Sequence, residues 1–158
     1  MNVATSAPSS PMQSPWIAIL AGGLVAGAFD ATMAVITYGW GMARGIASGV
    51  LGARALTGGS GVWILGIVLH FTIAIGAAAI YYLASRRLGF LREHFVVCGM
   101  FFGIAIFLVM NLVIVPLSAV PFPVGPFTVR SMIQGLLVHM ILIGLPIAAA
   151  NRVFSKPA

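Results

Sequence analysis

Four long runs of apolar residues, separated by shorter stretches rich in glycine, proline and arginine, set the pattern of this chain. They extend from about Trp16 to Tyr38, Trp63 to Tyr82, Phe95 to Leu117 and Ser131 to Ala150. Each is about 20 residues long, the length a helix needs to cross roughly 30 Å of hydrocarbon. Aromatic residues stand at most of the boundaries, where rings with a polar edge settle between lipid and water. The pattern predicts an all-α fold: an integral membrane four-helix bundle occupying residues 16–158, preceded by a disordered tail over 1–15. That tail is small, polar and proline-rich without a basic residue, which is unlike a signal peptide, so the first span is expected to stay as an anchor.

Composition agrees with the pattern, because 61% hydrophobic against 6% charged residues cannot cover a soluble surface. Four spans consume most of the 158 residues and leave no room for a separate soluble domain. The basic residues flanking the spans then suggest an orientation. Arg86, Arg87, Arg92, Arg152 and Lys156 share one side, and Arg44, Arg54 and Arg130 the other, which predicts both termini inside. The formal charge of +6 reflects these flanking residues, opposed only by Asp30 and Glu93. They lack the clustering of a nucleic-acid footprint, so the expected partners are the lipid bilayer and, beyond it, a second copy or a larger membrane complex.

The spans also read as a duplication. Gly66-Ile-Val-Leu-His70 in the second matches Gly135-Leu-Leu-Val-His139 in the fourth, and the first and third each carry a GxxxG, Gly23 to Gly27 and Gly99 to Gly103. Two tandem helical hairpins of the same orientation imply a parallel pseudo-twofold repeat about the membrane normal, an arrangement that would turn the two histidines towards each other. The glycines at Gly23, Gly27, Gly66, Gly99, Gly103 and Gly135 suit close helix packing. A glycine one turn before each histidine would alternatively clear space for a flat cofactor.

Counting residues from the outer ends places Asp30, His70, Asn111 and His139 at one membrane depth. An acid or base at mid-span costs roughly 2.5–3.5 kcal/mol on insertion scales, so such groups face a bundle interior and often work there. One reading is structural, a hydrogen-bonded layer that fixes helix register. It explains Asn111 better than Asp30, which must be either protonated or paired with a histidine. A second reading is a proton or cation site, with Asp30 accepting and the histidines relaying. As a variant, His70, His139 and Asp30 offer a divalent or transition metal two imidazoles and a carboxylate. A third reading is electron transfer, in which His70 and His139 are the axial ligands of a b-type haem whose propionates reach Arg44, Arg54 or Arg130.

The remaining features are less specific. Cys98 is the only cysteine, lies about 20 Å along its helix from Asn111 and reads as an inert buried thiol. Segment 41–61 is too polar to span and is expected to lie at the outer interface, with Ile46, Val50 and Leu51 on one face of a short helix, either as a lid hinged at Gly58 to Gly61 or as a plain connector. The outer turn from Pro116 to Arg130 is stiff with prolines, and Pro116 frees a carbonyl near Asn111. Pro146 should kink the fourth span, and His94 should be solvated. No nucleophile with a base and no paired carboxylates are present, so hydrolytic chemistry lacks its parts. Through the neighbourhoods of Asp30, IASGVLG, LHF and Met110-Asn111, the chain resembles small four-span bacterial inner-membrane proteins of uncharacterised function. The resemblance implies the same multi-pass topology and carries no activity or ligand.

Overall fold

The structure is a computed structural model that describes residues 14–122 and 128–155. Residues 1–13 of the tail expected over 1–15, positions 123–127 of the outer turn and Lys156 lie outside the described residues, and Pro15 already belongs to the first helix. No strand occurs among the described residues, which form five main helices: α1 (Pro15–Tyr38), α2 (Met42–Leu51), α3 (Ser60–Ser85), α4 (Phe95–Leu117) and α5 (Val129–Phe154). Four of these, α1, α3, α4 and α5, are long and apolar enough to cross a membrane, so the chain is a multi-pass membrane protein. Pro15 opens α1, where a missing N–H costs no hydrogen bond. Gly39 ends it with φ at 70°, a backbone conformation that a side chain resists.

The four spans pack around one shared core. α1 packs on both α3 and α5, α5 packs on α4, and α3 also touches the chain-terminal half of α5. α3 and α4 approach through the Tyr81 and Phe102 rings, whose centroids are 5.0 Å apart. The core is built from small residues, Ala18, Ala26, Ala77, Ala78 and Ala148, around Tyr81 and Ile147. Large apolar residues such as Leu24, Ile80, Phe101 and Leu112 face outward instead. This inversion is what lipid demands, because outward leucine costs nothing there while small residues let helix backbones touch.

The closest approaches are at glycines. A Cβ on Gly23 would come within 2.6 Å of the Ile75 Cα, and one on Gly27 within 2.9 Å of the Phe71 ring. In the second hairpin Gly99 lies against Gly144 and Ala148, and Gly103 against the His139 carbonyl and Met140. Gly66 abuts the Ala43 backbone of α2, and Gly135 abuts the Phe107 ring. All six glycines singled out from the sequence are therefore packing positions. The space beside Gly66 and Gly135, which the sequence also allowed for a flat cofactor, is filled by Ala43 and Phe107.

Two prolines reshape the second hairpin. Pro116 and Pro146 cannot donate to the carbonyls four residues back, and the turns before them widen to π-helix over Met110–Ile114 and His139–Gly144. Val115 N–H bonds to Met110 O and Leu145 N–H to Met140 O, each five residues back. Such widening re-satisfies backbone groups that lipid would leave bare. The kink expected at Pro146 thus takes the form of a wide turn.

Both described chain ends meet on one side of the bundle, where Ser14 N–H donates to Phe154 O at 2.9 Å. Nearby, Tyr81 Oη donates to Leu91 O at 2.8 Å and Arg92 Nη2 to Ser155 O at 2.7 Å, which ties the short loop 86–94 to the helix ends. On the opposite side α2 packs along α3 and reaches α4, where Ala119 N–H donates to Gly49 O at 2.9 Å. Trp63 Nε1 donates to Trp40 O at 2.9 Å, and Arg44 Nε to Gly58 O at 2.6 Å. Segment 41–61 therefore contains a fitted helix. Its buried face is Met42, Ala43, Ala47 and Ser48, whereas Val50 and Leu51 point outward, because only the small side chains allow α2 so close to Gly66.

Replacing Gly144 tests how much the bundle depends on contact between backbones. A methyl group there would meet the Gly99 carbonyl, so Gly144→Ala is expected to cost about 1–3 kcal/mol from overpacking. Gly76 has open space, and Gly76→Ala should be neutral or slightly stabilising. Thermal unfolding midpoints in one detergent compare the two, and equal midpoints would contradict the packing assignment.

Candidate functional site in the first hairpin

Asp30 lies one turn outward of Gly27 on α1, and His70 faces it from α3. The glycine crossing is the reason they meet. With no side chain at Gly27, α3 comes near enough for His70 Nε2 to reach the Gly27 carbonyl at 2.9 Å. The same nitrogen lies 4.0 Å from Asp30 Oδ2. The His70 side chain is 10% exposed and that of Asp30 28% exposed, so the imidazole is enclosed while the carboxyl is partly exposed at the bundle surface. The Phe71 ring stands edge-on to the imidazole at 5.4 Å and closes one side.

The partners fix the chemistry of the imidazole. A carbonyl only accepts, so Nε2 carries the hydrogen that points at Gly27 O, and Asp30 Oδ2 is the neighbouring group able to take a proton. A small side-chain movement would bring the carboxyl into direct hydrogen-bond range. The Gly27 carbonyl was not legible as part of this site from the sequence, where Gly27 registers only as a small packing residue.

The second hairpin is organised differently. His139 Nδ1 donates to Gly135 O within its own helix at 2.8 Å, leaving Nε2 as the acceptor, and its ring packs edge-on against Phe107 at 5.2 Å. Asn111 Nδ2 donates to Phe107 O at 2.8 Å. Both polar side chains thus bond to carbonyls four residues back, at the entrances to the two wide turns. Gly103 abuts His139, and Asn111 lies eight residues farther along α4, about 12 Å outward at 1.5 Å per residue. Asn111 therefore stands outside the expected common layer. Counting from helix ends misplaced it because α4 extends farther beyond the crossing than α5 does.

α1 packs against both histidine-bearing helices, and α3 meets α5 along its chain-terminal half. Each imidazole takes its hydrogen bond and ring contact from its own hairpin. Among the described residues, no three His, Cys, Asp or Glu side chains gather in a way that would hold a metal, so His70, His139 and Asp30 do not form the three-ligand set considered from the sequence. Cys98 is half-buried near the loop 86–94 side, away from these groups, and His94 is exposed. The chain matches no family model, no curated protein and no solved structure.

The two imidazoles should differ in tautomer. When neutral, His70 carries its hydrogen on Nε2 and His139 on Nδ1, as their carbonyl partners require. Nitrogen-15 spectra of imidazole-labelled protein in bilayers, assigned with His70→Gln and His139→Gln, should show one of each. Two identical tautomers would contradict the geometry.

Proposed function

We propose that this chain is a small membrane protein in which Asp30 and His70 hold and exchange a proton within the bilayer. The observation that carries the reading is the 4.0 Å approach of Asp30 Oδ2 to His70 Nε2, across a crossing that leaves the imidazole enclosed and the carboxyl partly open. An ionisable pair in a spanning region is expensive to keep. A register-fixing role is already filled by the hydrogen bond from His70 to Gly27 O, which needs no acid beside it. A proton reaching the pair is held on His70 Nδ1 as an imidazolium beside the Asp30 carboxylate, and passage of the Nε2 proton to Asp30 leaves a neutral imidazole and a carboxylic acid.

The same reading assigns the protein to a bacterial inner membrane with both termini inside, on the strength of Arg86, Arg87, Arg92 and Arg152 on the side of the chain ends. It also treats the two hairpins as a parallel repeat, as in the small four-span bacterial proteins that the sequence resembles. Matched crossings support the repeat. Gly23 and Gly99 meet positions 75 and 144, and Gly27 and Gly103 meet positions 71 and 140, pairs separated by the same spacing as His70 and His139. The halves have since diverged, for only the second has wide turns and only the first pairs its histidine with an acid. A haem bridging His70 and His139 has less support, since each imidazole is bonded within its own hairpin and the space beside Gly66 and Gly135 is filled.

Proton entry into vesicles loaded with a pH-sensitive dye, driven by a potassium diffusion potential, tests the proposal. Wild-type protein should acidify the lumen faster than protein-free vesicles, Asp30→Asn and His70→Gln should fall to the protein-free rate, and His139→Gln should retain the wild-type rate. Wild-type flux equal to that of empty vesicles, or undiminished flux in Asp30→Asn, would overturn it.

A further inference from the structure

Helix α2 is seated one turn outward of the His70 imidazole. Gly66 and His70 are four residues apart on the same face of α3, and both are buried. The backbone of Ala43 in α2 fills the space beside Gly66, where a Cβ would strike the Ala43 carbonyl. α3 begins at Ser60, on the α2 side, and the side chains of a helix lean towards its N-terminus, so His70 leans towards α2. The imidazole is about 15 Å from that end of α3 and about 22 Å from Ser85 at the other, at 1.5 Å per residue, and the longer way leads past the packed Ala77, Ala78 and Tyr81. The shorter way from the pair to water therefore passes α2.

The seat is shallow and separate from the crossing that positions His70. α2 buries Met42, Ala43, Ala47 and Ser48, mostly small side chains that hold it by little apolar area. Gly39 and Gly52, with φ at 70° and 65°, turn the chain on either flank of α2. Three hydrogen bonds latch the segment: Trp63 Nε1 to Trp40 O, Arg44 Nε to Gly58 O and Ala119 N–H to Gly49 O. The contacts of Gly23 with Ile75 and of Gly27 with Phe71, and the bond from His70 to Gly27 O, involve none of these groups. We infer that α2 is the outer gate of the Asp30–His70 pair, an inference that rests on the proton-exchanging reading of that pair. Seated on Gly66, α2 shuts the imidazole from water. Lifted about Gly39 and Gly52, it admits the water through which the pair gains and loses its proton, while the α1–α3 crossing keeps the two side chains in place.

Exchange of the His70 Nε2 proton with bulk water, followed in nitrogen-15-labelled full-length protein in bilayers, tests the gate without relying on flux. Gly49 and Ser118 offer a lock, because a Cβ on Gly49 would lie 3.6 Å from the Ser118 Cβ, within the spacing of a disulfide. In a Cys98→Ala background, Gly49→Cys with Ser118→Cys should slow the exchange about tenfold or more when oxidised, and reduction should restore it. Arg44→Gln and Trp63→Phe each release one latch and should speed the exchange about fivefold, the effect of losing one hydrogen bond. Unchanged helix content and an unchanged His70 tautomer would verify that these variants fold. Equal exchange in the oxidised and reduced protein, or exchange that neither latch variant alters, would overturn the gate. Vesicle flux measured on the same variants separates this inference from the reading beneath it. Flux that rises and falls with the exchange supports both, whereas exchange that follows the latch while flux stays at the protein-free rate supports the gate and overturns proton passage.

Discussion

Hydrocarbon offers no hydrophobic drive to bring apolar helices together, so their association depends on how closely backbones can approach. In this bundle the approach is set by glycines at the crossings: Gly23 and Gly27 between α1 and α3, and Gly99, Gly103 and Gly144 between α4 and α5. Side chains at most of these positions would strike backbone atoms, which cannot move aside as a flexible side chain can. Everything else follows from those contacts. The alanine core, the outward leucines and the seat of α2 on Gly66 are arrangements that wider crossings would not hold.

The candidate site is a by-product of one such contact. Because Gly27 has no side chain, its carbonyl is open to a neighbouring helix, and His70 occupies it. That bond orients the imidazole and commits Nε2 as donor, which places the donated hydrogen beside the Asp30 carboxyl. The equivalent crossing in the other hairpin puts Gly103 against the His139 backbone, so that histidine turns back on Gly135 of its own helix. Similar sequence around two histidines has thus produced one interhelical link and one local one.

Proline explains much of the difference between the halves. Pro116 and Pro146 force wide turns in α4 and α5, and Asn111 and His139 sit at their entrances with side chains bonded four residues back. Polar residues that looked like members of a shared layer are therefore engaged in stabilising distorted backbone, a use that water-free surroundings favour. The first hairpin has no proline inside either long span, and its polar pair is free to interact across helices.

Hydropathy alone determined the four spans, since their length and composition answer directly to the thickness and polarity of lipid. The GxxxG spacing, a property of one helix surface, marked Gly23, Gly27, Gly99 and Gly103, whereas the role of Gly144 shows only where it meets Gly99. Tertiary structure decided which groups meet. Depth counted along a single chain cannot foresee that α4 reaches farther beyond its crossing than α5, nor that each histidine bonds within its own hairpin. The Asp30–His70 pairing was available in the sequence as one combination among several. Contact between α1 and α3 selected it, for a hydrogen bond depends on distance in space, which no linear pattern records.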